Sequence, residues 1–561
     1  MNKLLIHNNN IAYKNIFESH IGFPPLEDVD KIISTKIISD IKKSDVEIIF
    51  IKDNLSSNYL ELYGLRVAYY IRLSQELGDK RYLPIVIISD LNSHTLNKLE
   101  PMANILFTKN IFIVKNSKDA IKEITQKEFK NLTEDEYSEF LNHIKVEQPK
   151  DYLSHHSIAN EWSMYRWAEY LDVNTPDIIK IKDTISSMLY FKYLQAKFPI
   201  QKNQFFKYKQ QLNGNGRVLY IDDEWEKGWK SIFEHIFKEN EKCHLKTVEE
   251  VYKDKTQDEI ISFIMEDIIS FDPDVIILDI RLHEDDFSKK IVLADFTGIQ
   301  IFDKIKEINP GIQVIIFTAS NNSLLLDELY NYDSSILGYV KKEHPKNYNL
   351  TTQSNINTLI NLVNKGFENK YLKEIWSEKK QIESKLLQDP FNQYIANTER
   401  YKDNLAKLIK ESEYIFDILN TEKENKFNYA LVSLATCLDA LQSIFIDEYY
   451  NNGTKEYYYL GCMITEQGIN SLPKQITYII KKSGNKINNV ELKKLNKARN
   501  YYIHSNPDYI PVDSKEIKKW FILLKDIISK IKNQKIKKRK LQKELGSIDG
   551  LQSIKDKLQT K

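Results

Sequence analysis

The sequence predicts a multidomain α/β plus all-α chain: two doubly wound parallel sheets joined by helices, then a C-terminal helical bundle. Three observations predict it. Between 216 and 342, four apolar runs of four or five residues alternate with helix-like segments, the pattern of strands in a parallel sheet. A weaker set of similar runs lies between 46 and 115. From about residue 395 helical periodicity takes over and continues to about 535.

The central runs come first because each ends in chemistry. Val218–Ile221 ends in Asp222 and Asp223, and Val275–Leu278 ends in Asp279. Val314–Phe317 ends in Thr318, while Ile336–Val340 carries Tyr339 and ends in Lys341 and Lys342. Ligands of such sheets bind beyond the carboxyl ends of the strands, so these residues converge on one edge. Crowded carboxylates repel unless a hard divalent cation sits between them, and Mg²⁺ favours such oxygen ligands. A carboxylate can attack a phosphoryl group, and a lysine and a hydroxyl can neutralise and orient its oxygens.

IDDE (Ile221–Glu224), LDIRL (Leu278–Leu282), FTAS (Phe317–Ser320) and GYVKKE (Gly338–Glu343) together resemble the receiver domain of bacterial response regulators. The resemblance implies a flavodoxin-like fold over 213–345. It makes Asp279 the phosphoacceptor, with Asp222, Asp223 and Asp279 holding Mg²⁺. Thr318 matches the switch hydroxyl and Tyr339 the switch aromatic, and family spacing selects Lys342 over Lys341. A histidine kinase or other phosphodonor is the implied partner. One departure is the insertion HEDDFSKKIVLADF (His283–Phe296), which delays the glycine that usually follows the phosphoacceptor until Gly298.

Residues 1–145 read as a degenerate copy. VEIIFI (Val46–Ile51), LPIVIIS (Leu83–Ser89) and NIFIVK (Asn110–Lys115) are expected strands, with GLRVAYYIRLSQEL (Gly64–Leu77) an amphipathic helix. Laid beside the receiver, Gly64 falls near Gly298, Ser89 near Thr318, and Phe112 and Lys115 near Tyr339 and Lys342. The phosphoacceptor position falls on Ile51 or Lys52, with Asp53 one or two residues away, and an earlier acidic pair is missing. A pseudo-receiver kept as a binding or dimerisation surface is the expectation, by analogy.

Residues 146–212 are expected to be a helical connector. HHSIANEWSMYRWAEYL (His155–Leu171) forms one helix and IIKIKDTISSMLYFKYLQ (Ile178–Gln195) a second that Pro176 starts. His155 and His156 point in different directions on a helix, which fits a surface pair better than a relay or metal site. Trp162 and Trp167 suit a core or interface. NGNG (Asn213–Gly216) is a hinge, and 346–394 is an expected helical linker.

The C-terminal region, 395–535, reads as all helix, and a basic tail occupies 536–561. Phe427–Tyr450 is an expected long helix carrying Asp439. In RNYYIH (Arg499–His504), Asn500 and His504 share a helix face one turn apart, within reach of Arg499. A histidine can move the proton of an RNA 2′-hydroxyl and an arginine can stabilise the phosphate in flight. A helix-end pair with capping roles is the simpler account of so short a motif. The long acid-bearing helix followed by RNYYIH resembles the HEPN family of helical bundles, many of them metal-independent ribonucleases. That resemblance implies Arg499, Asn500, His504 and Asp439 as catalytic residues, RNA as substrate, and a homodimer whose motifs meet across a cleft. It points to antiphage defence or growth arrest. The alternative is a non-catalytic adaptor whose helical end only dimerises or binds a partner.

The whole-chain numbers bound these readings. A chain of 561 residues exceeds one core and fits three or four domains. A net charge of +1 gives no overall nucleic-acid footprint, though a local one stays open. Cys243, Cys437 and Cys462 show no zinc-type spacing and fit a reducing compartment. The apolar stretch in MNKLLIHNNN is short for a signal peptide, and no run nears the ~18 residues of a membrane span. A cytoplasmic location without membrane contact is expected.

Overall fold

A computed structural model describes residues 2–8, 14–24, 28–56, 58, 61–149, 155–200, 211–238, 240–287, 292–319, 335–343, 352–388, 399–451, 453–460, 462–509 and 511–532. The basic tail and the side chains of His155 and His156 lie outside them.

The first unit is a five-stranded parallel sheet in the order β2-β1-β3-β4-β5. Its strands are β1 (Lys3–His7), β2 (Ser19–Gly22), β3 (Ile48–Lys52), β4 (Ile85–Ser89) and β5 (Ile111–Lys115). Around it lie α1 (Val29–Ile32), α2 (Ile38–Lys43), α3 (Tyr63–Leu73), α4 (Ser93–Leu99), α5 (Lys118–Ile124) and α6 (Glu134–His143). The helix expected over Gly64–Leu77 stops at Leu73. A 3₁₀ segment follows, in which Gly78 takes a φ of 54° that favours glycine.

Three connector helices follow: α7 (His155–Leu171), α8 (Pro176–Ser187) and α9 (Leu189–Lys197). The single helix expected from Ile178 is broken by the extended backbone of Met188.

A second parallel sheet repeats the first in the order β10-β9-β8-β6-β7. It comprises β6 (Gly216–Ile221), β7 (Cys243–Thr247), β8 (Val275–Leu278), β9 (Gln313–Thr318) and β10 (Ile336–Lys341), with α10 (Lys230–Phe237), α11 (Gln257–Phe271) and α12 (Thr297–Ile308) among its helices. Alternate strand residues feed different cores, as the two-residue period requires. Leu219, Ile221, Ile276, Leu278, Val314 and Ile316 pack under α11 and α12. Val218, Tyr220, Ile277, Phe317 and Val340 join one continuous core with α7–α9, the first unit and α13 (Thr352–Glu368). The connector is thus packed against both sheets.

A separate core begins at Tyr371. It holds α14 (Tyr371–Gln388), α15 (Glu399–Leu419), α16 (Lys426–Phe445), α17 (Leu472–Lys482), α18 (Val490–Ile503) and α19 (Ser514–Lys532). The expected 346–394 linker is therefore shared between two cores, α13 with the second sheet and α14 with the bundle. The all-helix expectation needs correction. Helix α16 ends at Phe445, and an antiparallel sheet of β11 (Ile446–Asn451), β12 (Thr454–Tyr459) and β13 (Cys462–Met463) follows. Tyrosine-rich alternation around Gly453, whose φ is 78°, turns the chain back as a hairpin. No described helix is long and apolar enough to cross a membrane.

Candidate functional site

The carboxyl edge of the second sheet gathers the residues singled out in its strands. Backbone bonds fix the rungs: Asp279 N donates to Ile221 O at 2.9 Å, and Lys342 N donates to Thr318 O at 2.8 Å. Asp222, Asp279, Thr318 and Lys342 are all buried. Lys342 Nζ lies 2.8 Å from both Asp222 Oδ2 and Asp279 Oδ2. Tyr220 donates its hydroxyl to Asp222 Oδ2 at 2.7 Å, Glu224 N donates to Asp222 Oδ1 at 2.9 Å, and Arg281 N donates to Asp279 Oδ1 at 3.2 Å. Lys341 is half-buried, and Lys342 is the lysine turned into the site. Tyr339 is half-buried against the core beneath α11 and α12.

The electrostatics favour a cation. Asp222, Asp223 and Asp279 each bring an oxygen within 4.8 Å of the other two, and the ammonium of Lys342 pairs with two of them. Burial, followed by the charges of Asp222, Glu224 and Asp279, pushes the Asp223 carboxyl well above the usual range. Its buried Oδ1 has no protein partner. Burial by itself would lower Lys342, but Asp222 and Asp279 outweigh it and hold the ammonium above its ordinary value. Several carboxylate oxygens on one small site suit a hard divalent ion such as Mg²⁺.

Tyr220, Trp229 and Phe317 were not singled out in the sequence. The rings of Phe317 and Trp229 lie 5.1 and 5.6 Å from Lys342 Nζ and box the ammonium. A signal for Tyr220 existed, since its position two before Asp222 puts it on the same strand face.

The insertion after Asp279 closes on itself through Asp286. This buried carboxylate accepts from Leu282 N (2.8 Å), His283 N (3.0 Å), Thr297 N (3.1 Å) and Thr297 Oγ1 (3.1 Å). The closure returns Gly298 to the strand end, where its N donates to Ile280 O. A Cβ there would lie 2.4 Å from Asp279 O, so glycine is required by close approach. Asp286→Ala is expected to cost roughly 2–4 kcal/mol by leaving buried amides unpaired. Urea unfolding checks this, and an unchanged midpoint would sink it.

Strand pairing aligns the first sheet with the second. Ile6 and Ile87 pair with Ile51 as Ile221 and Ile316 pair with Leu278. Gly64 N donates to Asp53 O as Gly298 N donates to Ile280 O. Lys52 therefore stands where the expected phosphoacceptor Asp279 stands in the second sheet, and His7 and Asn8 stand where Asp222 and Asp223 do. Asn116 N donates to Ser89 O as Lys342 N donates to Thr318 O, so Asn116 takes the lysine position. This corrects the expected match of Phe112 and Lys115 by one residue, to Ile113 and Asn116. Asp53 lies one residue past the acceptor position, bonded by Ser89 Oγ at 2.5 Å and Lys52 Nζ at 3.0 Å. Asp53 is thus paired within this edge, and among the described residues no acid occupies the positions equivalent to Asp222, Asp223 and Asp279.

Burial, then Lys14 and His20, lowers the His7 imidazole to about 4. Its folded value lies below the unfolded one near 6.5, so the unfolded chain binds the proton first as pH falls. His7 thus contributes stability that is present above pH ~6.5 and lost toward pH 4. The variant His7→Gln is expected to flatten stability against pH in that window; an unaltered slope would count against it.

In the bundle, Asp439 on α16 and Arg499 on α18 are electrostatic neighbours. Burial raises the Asp439 carboxyl, Arg499 and Lys407 draw it down, and Glu448 raises it. Arg499 Nη1 donates to Asn500 Oδ1 at 3.0 Å, while its buried Nε has no protein partner. His504 caps the C-terminus of α18, its N donating to Asn500 O, and it is exposed. Arg499 and Asn500 are thus bonded neighbours on α18 within the electrostatic reach of Asp439, with His504 one turn beyond Asn500. Glu448, on β11, is a neighbour that an all-helix reading could not supply.

Residues 2–114 match a family model described as an inactive receiver domain, iREC. That description fits an edge with Lys52 at the acceptor position. No curated protein matches the chain.

Proposed function

We propose that this chain is a phosphorylation-controlled effector in which Asp279 receives a phosphoryl group and the C-terminal bundle cleaves RNA. The observation that carries the first half is Lys342 Nζ at 2.8 Å from both Asp222 and Asp279 in a three-carboxylate edge. Asp279 Oδ forms a bond to phosphorus while the P–N bond of a phosphohistidine breaks, its electron pair leaving with the imidazole nitrogen. Lys342 shifts from the carboxylates to the phosphoryl oxygens and offsets their charge. Asp222, Asp223 and Asp279 would hold Mg²⁺, which when bound neutralises phosphoryl oxygens. Thr318 and Tyr339 move toward the new group, and the change passes through α13 and α14 to the bundle.

The second half rests on Asp439 beside Arg499, with His504 exposed one turn on. A ribose 2′-oxygen attacks the adjacent phosphorus and gives up its proton, and the P–O5′ bond breaks to leave a 2′,3′-cyclic phosphate and a 5′-hydroxyl. His504 moves the proton and Arg499 stabilises the phosphate. Two copies facing across a cleft would complete the site.

The adaptor reading has its own observation: the match of residues 2–114 to an inactive receiver domain, which favours a scaffold. One experiment separates the two. Purified full-length chain is incubated with Mg²⁺ and acetyl phosphate, then assayed for phosphoryl uptake and for cleavage of total tRNA and mRNA. Uptake abolished in Asp279→Ala, with cleavage altered in either direction by the same variant, supports the effector; uptake without cleavage supports the adaptor.

A further inference from the structure

Helix α7 belongs to neither sheet, yet it reaches Lys342 from two directions. Glu343 follows Lys342 in the chain, and its backbone N donates to Ser163 Oγ at 2.9 Å. Its carboxylate pairs with Arg166 Nε at 2.7 Å and accepts from Thr352 Oγ1 at 3.1 Å. Both charged side chains are largely out of water, at 13% and 6% exposure. From the other side, Trp167 packs edge-on against Trp229 and Phe317, the two rings that box Lys342 Nζ. Asn160 accepts from Trp229 Nε1 at 2.6 Å and fixes that ring.

Arg166 also looks backward. Its Nη1 donates at 2.7 Å to Phe198 O, where α9 ends. The connector behind it is fastened to the first unit: Tyr70 donates to Ser187 O at 2.7 Å, and Lys192 pairs with Glu76 at 2.6 Å. The planar fork of one guanidinium therefore spans the end of the connector and the residue next to Lys342.

We propose that Arg166 is a positioning residue for Lys342, through which the first, inactive sheet unit sets the rate at which Asp279 is phosphorylated. The inference rests on the reading of Asp279 as phosphoacceptor. It gives the N-terminal unit a role that needs no phosphoryl chemistry of its own: whatever shifts that unit shifts α9, Arg166 and the Lys342 strand end. A ~1 Å displacement of a charge-stabilising group can cost on the order of a hundredfold in rate.

The test measures the initial rate of Asp279 phosphorylation by acetyl phosphate in the full-length chain, across a Mg²⁺ titration. The acetyl C–O–P bridge breaks at phosphorus, acetate leaves with the electron pair, and Asp279 Oδ gains the bond. Removing one charge would strand the other, so the main variant is the double replacement Arg166→Met with Glu343→Gln. Neutral pairs of similar volume often preserve stability. The expected result is a cooperative melt near that of wild type, a rate lowered about tenfold or more, and an unchanged half-saturating Mg²⁺ concentration, because the carboxylates are untouched. Arg166→Lys, which keeps the pair with Glu343, should recover part of the rate. A double variant phosphorylated at the wild-type rate overturns the inference and leaves the phosphoacceptor reading standing, as does a rate loss that follows the melting temperature alone. A wild-type chain that takes up no phosphoryl group overturns both.

Discussion

Replacing Lys342 with methionine is expected to lower phosphoryl uptake by Asp279 roughly a hundredfold or more and to destabilise the second sheet unit at the same time. Both effects come from one geometry. Lys342 is the ammonium between Asp222 and Asp279, in a place sealed from water by Trp229 and Phe317. Without it, buried carboxylates face each other with no countercharge, a loss of roughly 3–5 kcal/mol when one partner of a buried pair is removed. The same loss sharpens the cation site, because the acids then carry one more uncompensated charge. Millimolar Mg²⁺ should therefore raise the melting temperature of Lys342→Met more than that of wild type, by binding the folded state alone. Calorimetry with and without Mg²⁺, beside a phosphorylation time course, reads all three effects. A variant phosphorylated as fast as wild type would remove Lys342 from the mechanism, and equal Mg²⁺ shifts would remove the cation from the three-acid site.

The central edge was legible in the sequence because β6, β8, β9 and β10 are short apolar runs that stop at residues of the candidate site. Leu278 followed by Asp279 marks a strand end and a candidate site residue in two letters. The missed strands lack that mark. In β7, CHLKT alternates polar and apolar residues at a sheet edge, and β2, SHIG, carries one strongly apolar residue. The error of one residue in β5 has a similar origin. Its sequence, IFIVK, is apolar at four successive positions, so nothing local says which residue sits opposite Ser89; the pairing of Ser89 with Lys115 does. The tyrosine hairpin was hidden because the apolar periodicity of α16 runs without a break into Ile446. Least legible were contacts between distant segments. Ser163 meets Glu343 across 180 residues of chain, and no local pattern in α7 announces that bond.

Replacing His504 with alanine is expected to lower RNA cleavage by roughly a hundredfold or more while leaving the fold in place. The position allows that separation. Arg499 is an electrostatic neighbour of the half-buried Asp439, so Arg499→Ala would weaken the positive field on that carboxylate and confuse a loss of chemistry with a loss of structure. His504 is exposed at the end of α18, where a substitution outside the core costs about 0.5 kcal/mol or less. A drop in cleavage with an unchanged melting curve would thus report proton transfer rather than folding. Crossing this variant with Asp279→Ala gives the sign of the gate: more cleavage in Asp279→Ala means that phosphorylation restrains the bundle, and less means that it releases it. The His504→Ala background must abolish either change, since a gate acts only on chemistry that is present. Cleavage that survives in His504→Ala would remove His504 from the reaction and overturn the proton-transfer role given to RNYYIH.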